Sequence, residues 1–220
     1  MATYAGYPHE LPQVTLQGYF GEVMAGWFAE SHTPCGLLGW VVPAHLFRYH
    51  LTAFQYLEQL AQKGSAPGAI VGRTGDDCLA FRKNTEGSIT DILFCEAKCT
   101  QNHSSTLIAD AHEKAAAGAI ADIPQLIEVL LGQGSSDALS WVDALRALHL
   151  TLIKGTTSAA IRHDMVCYVH GQTPQQRTTW ISPTSRHSAY ASDRVLNVVE
   201  LRLTDVLGRI GSLYTSEVWT

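Results

Sequence analysis

The sequence predicts an α/β protein with a central mixed sheet flanked by helices. Short runs rich in β-branched and aromatic residues alternate with longer segments of helical periodicity. Two of the runs, residues 77–82 and 89–98, are joined by the turn-like KNTEGS, which predicts a β-hairpin. At 220 residues, 46% of them apolar, the chain is long enough for one domain with a sizeable core. We therefore predict a single domain over residues 1–220.

The first half of the chain contains two predicted helices and three predicted strands. Residues 17–30 carry large apolar side chains on one helical face. A second helix is predicted over 43–64, beginning at Pro43 and ending at Gly64. The apolar runs that indicate strands are residues 68–73, 77–82 and 89–98.

The second half of the chain alternates in the same way. Pro124 and the sequence GQGSS separate its helical segments. A polar, turn-rich stretch predicts a loop around one short strand. The predicted helices are 104–118, 121–132, 136–153 and 204–213, and the predicted strands are 163–170, 178–182 and 195–203.

The second strand of the hairpin is apolar except near its end, where Glu96 and Lys98 stand two residues apart. Residues two apart on a strand face the same side, so these charges point together with their Cα atoms about 7 Å apart. The hairpin brings them near Asp76 and Asp77, which precede its first strand. Buried charges are costly unless they are paired or bind a metal. Two carboxylates and the backbone carbonyl of Ala97 suit Mg²⁺ or Mn²⁺, which prefer oxygen ligands.

Such a site predicts phosphoryl chemistry. A bound cation lowers the pKa of a water molecule and neutralises charge on a phosphoryl oxygen. The ammonium of Lys98 would orient the attacking water or stabilise transition-state charge. Asp77 shares its strand face with Leu79 and Phe81, and a second ligand role for Asp76 stays open.

The motif GDD at 75–77, followed after the turn by EAK at 96–98, resembles the signature of the PD-(D/E)XK nuclease superfamily. The resemblance covers residues 18–118 and implies a restriction-endonuclease-like core that hydrolyses DNA phosphodiester bonds. That core begins with a helix carrying a glutamate, whose place Glu22 takes in GYFGEVMAGWFAE. Asp76 stands where the proline of the signature would be. The implied catalytic residues are Glu22, Asp77, Glu96 and Lys98, and the implied metal ligands are Asp77, Glu96 and Ala97.

The order of LQGYFGEVMAGWF, VPAHLFRYHLTAFQYLEQ, GDDCLAF and LFCEAK is also similar to that of the nuclease subunits of the Hachiman anti-phage system. This narrower resemblance implies an effector that works beside a helicase in a heteromeric complex. Residues 119–155 would then be a helical insertion, and 160–215 the C-terminal strands and helix. Exposed apolar residues of the insertion, such as Trp141 or Leu148, are the expected docking surface.

The net charge and the cysteine content predict what kind of partner the protein has and in which cellular compartment it works. A net charge of −5 without a basic run predicts that a partner helps to hold nucleic acid. Five scattered cysteines predict a reduced, cytoplasmic protein. Neither a signal peptide nor a membrane span is predicted, since the longest apolar stretch is far below about 18 residues.

Other interpretations of the same residues stay open. Glu96 and Lys98 could form a surface pair, Asp76 and Asp77 could be turn residues, and Glu22 could lie on a solvated helix face. A catalytically inactive nuclease-fold subunit that binds a helicase or nucleic acid is the main alternative function. An unrelated α/β hydrolase or binding module is another. DNA versus RNA and endonuclease versus exonuclease action are also open.

Overall fold

The computed structural model describes residues 6–46, 51–63, 77–118, 120, 122–155, 160–175, 179–182 and 184–215, with only the backbone for 51–56 and 215. One four-stranded sheet organises these residues, in the order β1-β2-β3-β4. β1 and β2 are antiparallel, whereas β2, β3 and β4 run parallel. The predicted α/β class with a mixed sheet is confirmed. The strands are β1 (Cys78–Lys83), β2 (Ile89–Thr100), β3 (Ile161–His170) and β4 (Leu196–Arg202).

Six α-helices flank this sheet in the described part of the chain. They follow the predicted order, and their ends lie within a few residues of the predicted ones except in the second helix. None of the described helices is long and apolar enough to cross a membrane. The helices are α1 (Gln13–Ser31), α2 (Leu51–Lys63), α3 (Ser105–Ala117), α4 (Ile123–Gln133), α5 (Ser136–Ile153) and α6 (Val206–Thr215).

The predicted hairpin between β1 and β2 is present, and its turn is fixed by one side chain. Asn84 Oδ1 accepts hydrogen bonds from the backbone N–H groups of Glu86 and Ser88, at 3.0 and 2.9 Å. Gly87 adopts φ 83°, a conformation that costs glycine little because it has no Cβ. A β-bulge between Arg82 and Lys83 then shifts the register by one residue, so that Cys78 pairs with Cys95 at the other end of the hairpin.

The two faces of the sheet are covered by different helices. On one face, Cys95 and Ala97 of β2 pack with Ala25 and Ala29 of α1. Gly26 of α1 lies close to the segment before α2, since a Cβ on this residue would come to 2.5 Å from a ring carbon of His45. On the other face, the apolar residues of β1 and β2 pack against α4 and α5 in the largest core cluster. That cluster includes Phe81, Ile92, Phe94, Leu126, Leu130, Trp141 and Leu145.

Three local predictions need correction or fall outside the description. Residues 43–46 are not helical, because the chain before them pairs with β1 through two hydrogen bonds between Val41 and Phe81. Residues 179–182 form no strand, since the carboxylate of Glu200 accepts hydrogen bonds from the backbone N–H groups at 180 and 181 instead. The predicted strand at 68–73 lies outside the described residues.

The expected docking surface on α5 is also corrected. Trp141 and Leu148 are only 4% and 5% exposed because both belong to the core that α5 forms with the sheet. Lys83 Nζ lies 3.7 Å from the centroid of the Trp141 ring, which further covers it. The large apolar side chains that α5 does expose are Leu139, Leu150, Leu152 and Ile153.

Candidate functional site

Asp77 and Glu96 lie opposite each other at the open end of the hairpin. The antiparallel register pairs Cys78 with Cys95, so the next position outward places Asp77 across from Glu96. Asp77 Oδ2 accepts a hydrogen bond of 2.8 Å from the backbone N–H of Ala97. The predicted convergence of the carboxylates on the EAK motif is therefore present. Gly75 and Asp76 lie outside the described residues.

Glu96 and Lys98 share the face of β2 that carries Ile92 and Phe94, while Ala97 points to the α1 face. Glu96 is 3% exposed. Lys98 Nζ donates a hydrogen bond of 2.6 Å to Glu96 Oε1. The surface-pair interpretation of these two residues is wrong, because they lie under α3 rather than on an open edge.

Helix α3 adds two charged residues that were not among the predicted site residues. Asp110 Oδ2 lies 3.1 Å from Lys98 Nζ and 3.3 Å from Lys114 Nζ. Lys114 Nζ also lies 3.7 Å from Glu96 Oε1. The available signal was a carboxylate and a lysine four residues apart in the helix that directly follows the charged strand. We call Asp77, Glu96, Lys98, Asp110 and Lys114 the charge cluster.

The pKa values of Glu96 and Lys98 are both raised, but for different reasons. Burial, and then the negative charge of Asp77, raise the pKa of Glu96 to about 7 although Lys98 and Lys114 oppose this. Burial acts to lower the pKa of Lys98, but the charge and hydrogen bond of Glu96 outweigh it and raise that pKa. Lys98 is therefore cationic at neutral pH, while Glu96 is poised between its neutral and ionised forms.

Asp110 is the more firmly ionised partner of the two lysines. Its partial burial acts to raise its pKa, but the hydrogen bond and charge of Lys98 and the charge of Lys114 outweigh this and lower the pKa. Its side chain is 42% exposed, against 4% for Glu96. The two carboxylates that hold Lys98 thus differ in both solvation and proton affinity.

The amino end of α3 is fixed to the sheet beside the charge cluster. Ser104 caps the helix, since its Oγ accepts a hydrogen bond of 3.3 Å from the backbone N–H of Leu107. The backbone N–H of Ser104 donates to Tyr168 Oη at 3.0 Å. Tyr168 is the neighbour of Lys98 in the register of β2 and β3. This bond fixes where α3 begins relative to Lys98.

The carboxyl end of α3 is held by arginines that donate to its last carbonyl groups. Arg162 donates to the carbonyls of Ala115 and Gly118, the first at 3.1 Å. Arg194 donates to the carbonyls of Ala115 and Ala116 at 3.0 and 2.7 Å. Cationic groups also interact favourably with the negative end of the helix dipole.

One buried carboxylate orients both arginines. Asp164 has no solvent exposure and accepts hydrogen bonds of 2.8 Å from the Nε atoms of Arg162 and Arg194. Tyr190 Oη donates to Asp164 Oδ2 at 2.6 Å. We call Arg162, Asp164, Tyr190 and Arg194 the α3 clamp. Because Asp110 and Lys114 lie on α3, the clamp also sets their position over β2.

Glu22 lies on α1, the helix that covers the other face of the sheet. It is 6% exposed, so the solvated-face interpretation of this residue is wrong. The preceding Gly21 faces Ala97 and Cys99, on the side of β2 opposite to Glu96 and Lys98. After burial and the influence of Tyr7, the charge of Glu22 contributes to raising the pKa of Tyr214 in α6. The catalytic role that the resemblance implies for Glu22 stays a prediction.

The donor set at the open end of the hairpin fits a hard divalent cation. Within the described ranges, no group of three or more His, Cys, Asp and Glu side chains is placed to hold a metal. Two carboxylates, from Asp77 and Glu96, and the carbonyl of Ala97 remain, and all of these ligands are oxygens, as Mg²⁺ and Mn²⁺ prefer. The repulsion of Asp77 that helps to raise the pKa of Glu96 is one that a cation between them would relieve.

No family model matches the chain, and no curated protein sequence matches it. What the site can do therefore follows from its own side chains. They combine two facing carboxylates, a cationic lysine held beside them, and a helix that keeps further charges in place. This set of groups is suited to binding a cation and a phosphate together.

Proposed function

We propose that this chain is a metal-dependent nuclease of the PD-(D/E)XK type that hydrolyses phosphodiester bonds of DNA in the cytoplasm. One observation carries the proposal: Asp77 and Glu96 face each other across the hairpin, and Lys98 lies on the same face two residues further on. A pair of carboxylates beside an ammonium on a buried sheet face is costly unless the charges have a use.

Asp77, Glu96 and the carbonyl of Ala97 would hold Mg²⁺ or Mn²⁺. The cation would supply a water of lowered pKa and neutralise charge on the phosphate. The Ala97 N–H fixes the orientation of the Asp77 carboxylate through Oδ2, and no hydrogen bond among the described residues engages Oδ1. Asp77 is thus preorganised to offer one oxygen, whereas Glu96 is still bonded to Lys98.

Lys98 acts as a cation in this proposal and not as a general base. The charge of Glu96 raises its pKa against the effect of burial, so its ammonium keeps its proton at neutral pH. A fixed ammonium stabilises the negative charge that develops on the phosphate in the transition state. It also donates a hydrogen bond that orients the attacking water.

Activity should depend on a divalent cation. With Mg²⁺ or Mn²⁺ the protein, alone or with its partner, should cut linear and plasmid DNA, and EDTA should stop the reaction. Gel analysis of cleavage with EDTA, and after adding excess Mg²⁺ back, measures this. Cleavage that continues in EDTA would contradict the proposed site.

Cation binding should weaken as the pH falls through about 7, the pKa of Glu96. Below that pH the carboxyl holds a proton, which the cation must displace, so affinity should fall by up to about tenfold per pH unit. Titration of Mn²⁺ at pH 5.5 to 8.5, followed by electron paramagnetic resonance, measures the profile. In Glu96→Gln the remaining affinity should lose this dependence near pH 7. An equal slope in both chains would assign the proton to another group.

The proposal includes a helicase partner in a heteromeric complex. A chain of net charge −5 neutralises few phosphates, and phosphate neutralisation supplies most non-specific DNA affinity. A motor that grips DNA would present the substrate to the site. Purification from the native host should recover the chain together with a helicase. A chain that elutes alone and degrades plasmid DNA at physiological salt would contradict this part of the proposal.

A further inference from the structure

Glu96 has two competing duties, if the proposed function holds. Its Oε1 accepts the 2.6 Å hydrogen bond from Lys98, yet the same carboxylate is needed as a cation ligand. An ammonium and a divalent cation cannot both approach one carboxylate closely without repelling each other. For Glu96 to turn toward a cation, Lys98 needs another anion within reach.

Asp110 is already in that position. Its Oδ2 lies 3.1 Å from Lys98 Nζ, so the ammonium is shared between the carboxylates of β2 and α3. The Lys98 side chain is only 15% exposed, so an ammonium without a counter-ion would be costly there. Asp110 can keep Lys98 paired after Glu96 has left it.

We propose that Asp110 is a positioning residue, an alternate counter-ion that takes the Lys98 ammonium from Glu96 when Glu96 binds the cation. Lys98 then remains beside the phosphate, held from the α3 side. Asp110 does not touch the substrate or the cation in this arrangement. It acts through Lys98.

Lys114 is a second ammonium within reach of the same two carboxylates. It lies 3.3 Å from Asp110 Oδ2 and 3.7 Å from Glu96 Oε1, so it can pair with Glu96 if Lys98 is removed. The α3 clamp holds the helix that carries both residues, so the distance between Asp110 and Lys98 is set by packing. The carboxylate of Asp110 is therefore already beside Lys98 before Glu96 turns toward the cation.

Mn²⁺ affinity in a double-mutant cycle tests the proposal without relying on cleavage. The cycle is built on full-length Lys114→Met, so that the second ammonium cannot replace the first. Asp110→Asn should weaken Mn²⁺ binding about fivefold or more, because Lys98 then stays on Glu96. Lys98→Met should strengthen it, because the competing ammonium is gone. In the Lys98→Met chain, adding Asp110→Asn should change the affinity by less than about twofold.

A general charge effect predicts a different result. If Asp110 attracts the cation only as a distant negative charge, Asp110→Asn weakens binding equally with and without Lys98, and the proposal is overturned. Glu113→Gln, an equal charge change at an exposed position of α3, is the matched control and should leave the affinity unchanged. Asp110 is partly exposed, so its asparagine variant should fold, and thermal unfolding verifies this.

The experiments distinguish a failure of the proposed role of Asp110 from a failure of the proposed nuclease function. If the unmodified chain cleaves DNA and binds Mn²⁺, but Asp110→Asn leaves the Mn²⁺ affinity unchanged, only the proposed role of Asp110 is overturned. If the Mn²⁺ affinities of the variants show the pattern predicted above but the protein cuts no DNA, the role of Asp110 is supported and the nuclease function is contradicted. Failure of the unmodified chain to bind Mn²⁺ overturns both.

Discussion

Glu96→Gln, Asp77→Asn and Lys98→Met should each lower DNA cleavage in Mg²⁺ by about 10²-fold or more. The first two changes remove a charged ligand while keeping the shape of the side chain, and the third removes the ammonium beside the phosphate. The backbone pairing of β1 with β2 should remain in all three variants, and the amide oxygen of Asp77→Asn can still accept the hydrogen bond from the Ala97 N–H. Initial rates on a labelled duplex measure the loss, and circular dichroism verifies that each variant folds.

Two comparisons make this result specific. Glu113→Gln on α3 removes an exposed carboxylate of the same type and should cleave at the rate of the unmodified chain. The three site variants should still join any partner complex. If all three still provide the protein's cellular function, the chain acts by binding alone, and the inactive-subunit alternative is correct.

Asp164→Ala should destabilise the protein by about 3–5 kcal/mol, because it leaves two partly buried arginines and the Tyr190 hydroxyl without their common acceptor. The midpoint of urea unfolding, with the slope unchanged, measures this loss. Asp193→Ala makes the same chemical change at an exposed position one residue before Arg194 and should leave the midpoint nearly unchanged. Equal midpoints for the two variants would show that the α3 clamp contributes little to stability.

The sequence was most informative where the determining interactions are local. The turn at Asn84, the hairpin and the alternation along β2 follow from neighbouring residues, and the period of two places Glu96 and Lys98 on the same face. The position of Asp77 opposite Glu96 also depends on the β-bulge between Arg82 and Lys83, which shifts the register by one residue and was not predicted.

The missed features depend on contacts between distant segments. Asp110 and Lys114 join the site because α3 folds back over β2, where Arg162 and Arg194 hold its carboxyl end. Residues 43–46 have helical composition, but pairing of the preceding segment with β1 determines their conformation. The spacing of residues within a helix or strand can be seen in the sequence, but the contacts between distant segments that decide these two features cannot.

The α3 clamp also has a consequence for synthesis on the ribosome. Every charge of the cluster lies between Asp77 and Lys114, whereas the groups that hold the carboxyl end of α3 lie between Arg162 and Arg194. A nascent chain that has emerged only through α3 carries all the charged side chains of the site without the clamp that fixes them. The site is therefore completed only after the strands β3 and β4 have been added to the hairpin.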